Sequence, residues 1–125
     1  KEVFKRGAGE IILTSIDNEG TGSGFDNDFI NKVSNKIDIQ VIAHGGAGSK
    51  EDVLDVFQKT KASAVALSSI LHYSKLKKVK NIDKKKLVGN TEFLNNKIKS
   101  KNFENCNIKE LKKFLKKKSI NIIQQ

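Results

Sequence analysis

The chain has 125 residues, 24 Lys and Arg against 14 Asp and Glu, and a formal net charge of +10. Its single cysteine, Cys106, excludes an internal disulfide and any multi-cysteine zinc site, and makes a reducing compartment the expectation. The longest apolar runs, such as Ile11 to Leu13 and Ala62 to Leu67, fall far short of the roughly 20 residues that span a bilayer, and no signal peptide is visible. A soluble, cytoplasmic protein without membrane contact is therefore expected.

The basicity is local. From Ser74 to Lys118 there are 16 Lys against 4 acids, whereas the remaining residues hold 8 basic against 10 acidic side chains. Arg6 is the one arginine, although base readout and bidentate phosphate gripping favour arginine. The lysine run reads as a solvated face, and no nucleic-acid partner is expected.

In chain order, Lys1 to Arg6 reads as the last turns of a helix whose beginning is missing, so the sequence is expected to be a piece of a longer protein. Glu10 to Ser15, Ile39 to Ala43 and Ala64 to Ser68 are short apolar runs that predict strands buried on both faces, as in a parallel sheet. Between the first two, Phe29, Ile30, Val33 and Ile37 recur at helical spacing behind an N-cap at Asp26. Between the second and third, Ser49 is an N-cap with Asp52 at the capping-box position, and Val53, Leu54 and Phe57 form the apolar stripe. A strand-loop-helix unit repeated in this way specifies βαβ connections and a parallel sheet.

After the third strand the rhythm breaks. Lys75 to Asn105 is polar and Lys/Asn-rich without a strong period, and is read as an insertion, partly ordered at best and incidental to chemistry. A terminal amphipathic helix follows, with Asn107 as N-cap, Glu110 at N3, and Ile108, Leu111, Phe114 and Leu115 on one face, ending near Ser119. The organisation is thus 1–73 for three strands with their loops, 74–106 for the insertion, and 107–125 for a helix and tail of the same domain. Three strands with their helices cannot cover both faces of a sheet or close a barrel, so the edges of the sheet are expected to be open.

The chemistry lies at the C-terminal ends of the strands. The first loop, Thr14-Ser15-Ile16-Asp17-Asn18-Glu19-Gly20-Thr21-Gly22-Ser23-Gly24-Phe25-Asp26, pairs two carboxylates with glycines that allow a ligand-hugging turn; a solvated acidic loop with Asp17 capping its own turn is the alternative. The second strand ends in His44-Gly45-Gly46-Ala47-Gly48-Ser49, and the third in Ser68-Ser69-Ile70-Leu71-His72-Tyr73. Backbone N–H groups beside glycines, serine hydroxyls and a helix N-terminus form a phosphate-binding set of the kind that barrels carry after strands seven and eight.

These segments carry a resemblance. Arg6-Gly7-Ala8-Gly9-Glu10-Ile11-Ile12-Leu13-Thr14-Ser15-Ile16-Asp17, the Gly20-Thr21 pair, Gly24-Phe25-Asp26, and Val41-Ile42-Ala43 leading into Gly45-Gly46-Ala47-Gly48 resemble the cyclase subunits of imidazole glycerol phosphate synthase, of the histidine-biosynthesis barrel family. The similarity is close from Lys5 to Tyr73 and resumes loosely from Ile108 to Ile122. It implies an α/β fold, the C-terminal part, strands six to eight, of a (β/α)8 TIM barrel. It further implies a lyase-type cyclase that takes ammonia from a glutaminase subunit and acts on a phosphorylated nucleotide, a phosphoribulosyl aminoimidazole carboxamide. The products would be imidazole glycerol phosphate and aminoimidazole carboxamide ribotide.

By the same resemblance Glu19 falls on a catalytic carboxylate that is usually Asp; Thr14, Gly20 and His44 contact substrate; and Gly45, Gly46, Ala47, Ser68 and Ser69 hold the distal phosphate. The family's two acid-base aspartates would precede Lys1. No metal or organic cofactor is implied. His44 stands where the family usually has a small hydroxylated residue, and either binds phosphate as a cation or fills space; His72 is read as structural. Two other readings remain: a family paralogue that amidates a nucleotide sugar in surface-glycan synthesis, suggested by Glu19, His44 and the insertion, and a non-catalytic basic binding module.

Overall fold

The computed structural model of the chain describes residues 2–78 and 103–123. The order of elements is α1 (Glu2–Lys5), β1 (Glu10–Thr14), α2 (Asn27–Ser34), β2 (Gln40–His44), α3 (Lys50–Lys59), β3 (Ala64–Ala66), α4 (Ser69–Lys78) and α5 (Ile108–Lys117). The strands form one sheet in the order β1-β2-β3, with both neighbouring pairs parallel. This is the α/β, parallel-sheet class expected from the apolar runs. Among the described residues no helix is long and apolar enough to cross a membrane.

Local chemistry sets the helix starts. The Asp26 carboxylate accepts the Phe29 N–H at 2.9 Å. At α3 the capping box closes in both directions, Ser49 Oγ accepting the Asp52 N–H at 3.1 Å and Asp52 Oδ2 accepting the Ser49 N–H at 2.8 Å. At α5, Asn107 and Glu110 exchange the same two bonds at 3.0 and 3.1 Å. Each closure satisfies donors that the first helical turn cannot pair internally. The other end of α5 turns on Ser119 at φ 61°. The Ser119 N–H donates to the Lys116 carbonyl and the Ile120 N–H to the Leu115 carbonyl, both at 3.1 Å, the pattern of a Schellman cap usually built on glycine.

Among the described residues only one face of the sheet is covered. Val41 and Ala43 of β2 are buried beneath the helices, and Ile30, Ala43 and Val56 form a small core with Leu13, Phe25, Ala62 and Val65 packed on it. A larger core joins Val53, Leu54, Ile70, Leu111 and Leu115. The opposite face presents the lateral rows Ile12, Ile42, Ala64 and Thr14, His44, Ala66, and Ile12 is 63% exposed. β1 accordingly alternates between exposed and half-buried positions; burial on both faces, expected from its apolar run, needs a layer that these residues do not supply.

The lysine-rich segment differs from its reading at both ends. Helix α4 continues through Lys78, and Phe103 and Cys106 lie in the main core at 2% and 0% exposure. Ser74 is buried and donates its hydroxyl to Asn105 Oδ1 at 2.9 Å. The chain thus returns into the core before α5 begins. The patch around Phe93, Leu94 and Ile98 lies outside the described residues.

Glu104 fastens this return. Its N–H donates to the Gly48 carbonyl at 2.7 Å, its carboxylate accepts the Lys50 N–H at 2.9 Å, and the Lys50 ammonium closes an ion pair with it. Burial pushes the Glu104 carboxyl up, but the hydrogen bonds and charge of Lys50 outweigh it and hold the group below its ordinary value. The hydrogen bond that Lys50 donates to Glu104 in turn raises Lys50 against the opposing effect of burial. A depressed carboxyl stabilises the fold above its unfolded pKa and loses that contribution as pH falls through the folded value. Glu104→Gln should therefore lower stability by about 1 kcal/mol at neutral pH and flatten the acid limb of a denaturation-versus-pH profile. An unchanged acid limb would show that the clasp adds nothing. At the α5 terminus, Ser119→Gly relieves a left-handed serine and should raise the unfolding free energy by about 0.5–1 kcal/mol, read as an upward shift in Tm.

Candidate phosphate-binding cleft

The C-terminal ends of all three strands meet in one cleft. Its walls are Glu19 and Gly20 from the β1–α2 loop, His44 to Ala47 from the end of β2, and Ala66 to Ser69 from the end of β3. Eight of the nine residues singled out from the sequence line it; the ninth, Thr14, stands behind His44, its Oγ1 at 3.1 Å from His44 Nδ1. Ala66 and Leu67 complete the wall and carried no sequence signal, being ordinary strand-end apolar residues.

Two glycines bring the loops together. Gly45 and Gly46 adopt φ 94° and 107°, a region that side-chain-bearing residues rarely enter. A Cβ on Gly46 would lie 2.0 Å from the Gly24 carbonyl oxygen, and one on Gly45 would lie 2.8 Å from the Ser15 carbonyl oxygen. The Gly24 N–H donates to the Gly46 carbonyl at 2.8 Å, and Asn18 Nδ2 donates to the Gly24 carbonyl at 3.1 Å. The glycine pair is therefore required first by the neighbouring backbone, a constraint that closeness to a ligand does not reveal. Gly24, expected only as a glycine of the ligand-hugging turn, and Asn18, which carried no expectation, hold the contact from the other side.

The two helix N-termini near the cleft are not equivalent. At α3, Asp52 Oδ2 accepts both the Gly48 and Ser49 N–H groups, and Glu104 accepts the Lys50 N–H, so this end is already occupied by carboxylates. At α4 the Ser68 carbonyl accepts the Leu71 and His72 N–H groups, and Ser68 and Ser69 stand in the cleft wall. The first-turn N–H groups of a helix have no intrahelical acceptor, and its dipole is positive there. The α4 end is thus the one that can attract an anion. His72 is exposed on α4, in edge-to-face contact with Tyr73 and outside the cleft wall.

Among the described residues the ionisable side chains of the wall are Glu19 and His44. Glu19 Oε2 lies 3.6 Å from His44 Nε2, and both side chains are partly open to solvent. One strand-end hydroxyl, one imidazole and one carboxylate thus stand in series along one side of the cleft, with backbone and serine donors on the other.

The sequence compares with known proteins as this geometry suggests. Residues 1–77 match the family model described as "Histidine biosynthesis protein". The chain is 54% identical over 76 residues to imidazole glycerol phosphate synthase subunit HisF of Prochlorococcus marinus (strain AS9601), covering 61% of this chain and 30% of that protein. It is 51% identical over 83 residues to the HisF subunit of Natranaerobius thermophilus, covering 65% and 33%, and 49% identical over 76 residues to that of Streptococcus mutans, covering 61% and 30%. The chain spans about a third of the length of the curated relatives it matches. With more than half of its residues inside the family model, the chain belongs to the histidine biosynthesis protein family.

Proposed function

We propose that the chain is the phosphate-holding part of a cyclase subunit of imidazole glycerol phosphate synthase, supplying strands six to eight of its (β/α)8 barrel. The observation that carries this reading is the single cleft at the ends of three consecutive parallel strands, walled by Gly45, Gly46, Ser68 and Ser69 at the open N-terminus of α4. Barrels keep active sites at this end and phosphates near the last two strands. In this reading residues 1–73 hold the strands and 107–125 complete the same domain. A glutaminase subunit supplies ammonia, and the substrate is the phosphoribulosyl aminoimidazole carboxamide nucleotide.

The roles follow the positions. Gly45 to Ala47, Ser68 and Ser69 hold the distal phosphate through backbone N–H groups, hydroxyls and the α4 dipole. Gly20 and Thr14 border the path towards the reacting end, and Glu19 is the carboxylate nearest to it. The acid and base of ring closure are two aspartates outside this sequence. The glycan-amidation reading has one observation in its favour: Glu19 and His44, two of the departures from the cyclase pattern, lie side by side.

The anion site is tested with inorganic phosphate. Ser69→Ala removes a donor without a steric change and should weaken phosphate binding about tenfold, the equivalent of one charge-assisted hydrogen bond; unchanged affinity in a calorimetric titration sinks the assignment. Gly46→Ala is the contrasting variant. It forces a Cβ against the Gly24 carbonyl and should cost at least about 2 kcal/mol of stability, so its lost binding reflects a displaced loop. For the reaction, residues 1–125 given the nucleotide with ammonium should show no turnover, because acid-base groups each contribute about 10² to 10⁴ in rate. Adding the family's remaining strands should restore it. Turnover by these residues alone would place the acid and base among them, and amidation of a nucleotide sugar instead would establish the second reading.

A further inference from the structure

The cleft is an awkward place for a dianion. Among the described residues its wall contains a carboxylate, Glu19, and no lysine or arginine. Backbone donors and the α4 dipole attract phosphate, while a fixed negative charge in the same wall repels it. His44 is placed to change this balance. Its Nε2 faces Glu19 Oε2 at 3.6 Å and its Nδ1 faces Thr14 Oγ1 at 3.1 Å. A neutral imidazole carries one N–H and can donate to one of these oxygens; the imidazolium donates to both.

We propose, resting on the phosphate-site reading above, that binding of a dianionic phosphate ester is coupled to uptake of one proton by the His44 ring. The proton comes from solvent and settles on the ring nitrogen left bare in the neutral tautomer. No bond to phosphorus forms or breaks. His44 is then a positioning residue that acts through charge: it converts Glu19 from a repelling group into one half of an ion pair on Nε2, while Nδ1 stays on Thr14 Oγ1.

The groups that face the ring come from four elements. From the β1–α2 loop the facing charge is Glu19, and from β1 the facing group is the Thr14 hydroxyl. The end of β3 contributes uncharged Ala66 and Leu67, and α4 contributes Ser69 with the positive end of its dipole. Without an anion, Glu19 favours the imidazolium and the α4 terminus disfavours it. A bound dianion neutralises that terminus and adds its own attraction, so ligand and proton favour one another. Linkage makes the effect reciprocal: whatever factor the anion adds to proton affinity, the proton adds to anion affinity.

Inorganic sulfate is the suitable probe, because it stays a dianion near neutral pH and any proton taken up belongs to the protein. The ring ¹⁵N resonances of His44 should move to the doubly protonated pattern as sulfate is added at about pH 7.5, a range in which histidine changes charge. His72, exposed on α4, is the reference and should not follow the titration. Sulfate affinity should fall roughly tenfold as pH rises from about 6 to 8. His44→Ser, checked for fold by its amide spectrum, should bind at the weaker level throughout and lose the slope. Saturable sulfate binding by the native protein without ring protonation, or a slope retained in His44→Ser, overturns the proton coupling and leaves the anion site standing. Absence of saturable sulfate binding overturns both.

Discussion

The contact between the backbones of Gly24 and Gly46 is the constraint on which the cleft depends. It joins the long β1–α2 loop to the turn after β2, with the Gly24 N–H on the Gly46 carbonyl and Asn18 holding Gly24 from behind. Remove it and Glu19 and Gly20 lose their registration against His44 and Gly45. The cost of the contact is two residues of positive φ in succession. Glycine is the one residue that meets both demands, conformation and the space for a carbonyl where its Cβ would have been.

A second tie comes from far along the chain. Glu104 reaches Gly48 and Lys50, so a residue in the lysine-rich stretch closes the N-terminus of α3. With Asp52 already on Gly48 and Ser49, the α3 dipole is spent on internal carboxylates. The consequence for function is selective: an anion entering the cleft is offered the α4 terminus and not the α3 terminus. Burial around the same clasp pushes the Cys106 thiol up, keeping it a protonated member of the core and not a nucleophile.

What could be read from the sequence was what depends on local chemistry. Caps at Asp26, Ser49 and Asn107 were legible because each needs only an acceptor and a donor three residues away, and strand ends followed from apolar runs interrupted by Gly or Ser. The gathering of Glu19, His44 and Ser69 into one cleft was legible because parallel strands put all of their C-terminal ends on one side. Two things were not. The roles of Gly24 and Glu104 depend on partners 22 and 56 residues distant in the chain, and no local pattern encodes such pairs: Gly24 meets Gly46, and Glu104 meets Gly48; Asn18 acts only by holding Gly24 in that contact. The core position of Phe103 was hidden by the polar composition around it, where one aromatic among lysines and asparagines gives no period.

Support for the cleft is graded from one side to the other. The turn after β2 is buried from Gly45 to Gly48 and tied from the helix layer by Asp52 and Glu104. The β1 side has no such backing: Thr14 and Glu19 are exposed, and the row beneath them, Ile12 with Ile42 and Ala64, lies on the uncovered face. Covering Ile12 alone is worth about 1–2 kcal/mol, so whatever packs on this face stiffens β1 and, through it, the carboxylate. The turn after β2 is preorganised by contacts made within these residues, whereas the loop that carries Glu19 is held chiefly by His44 and by the Gly24–Gly46 contact. In a cleft of this construction, the shape of the β2 turn is set by residues of one short segment, while placement of the Glu19 carboxylate depends on whatever layer faces β1.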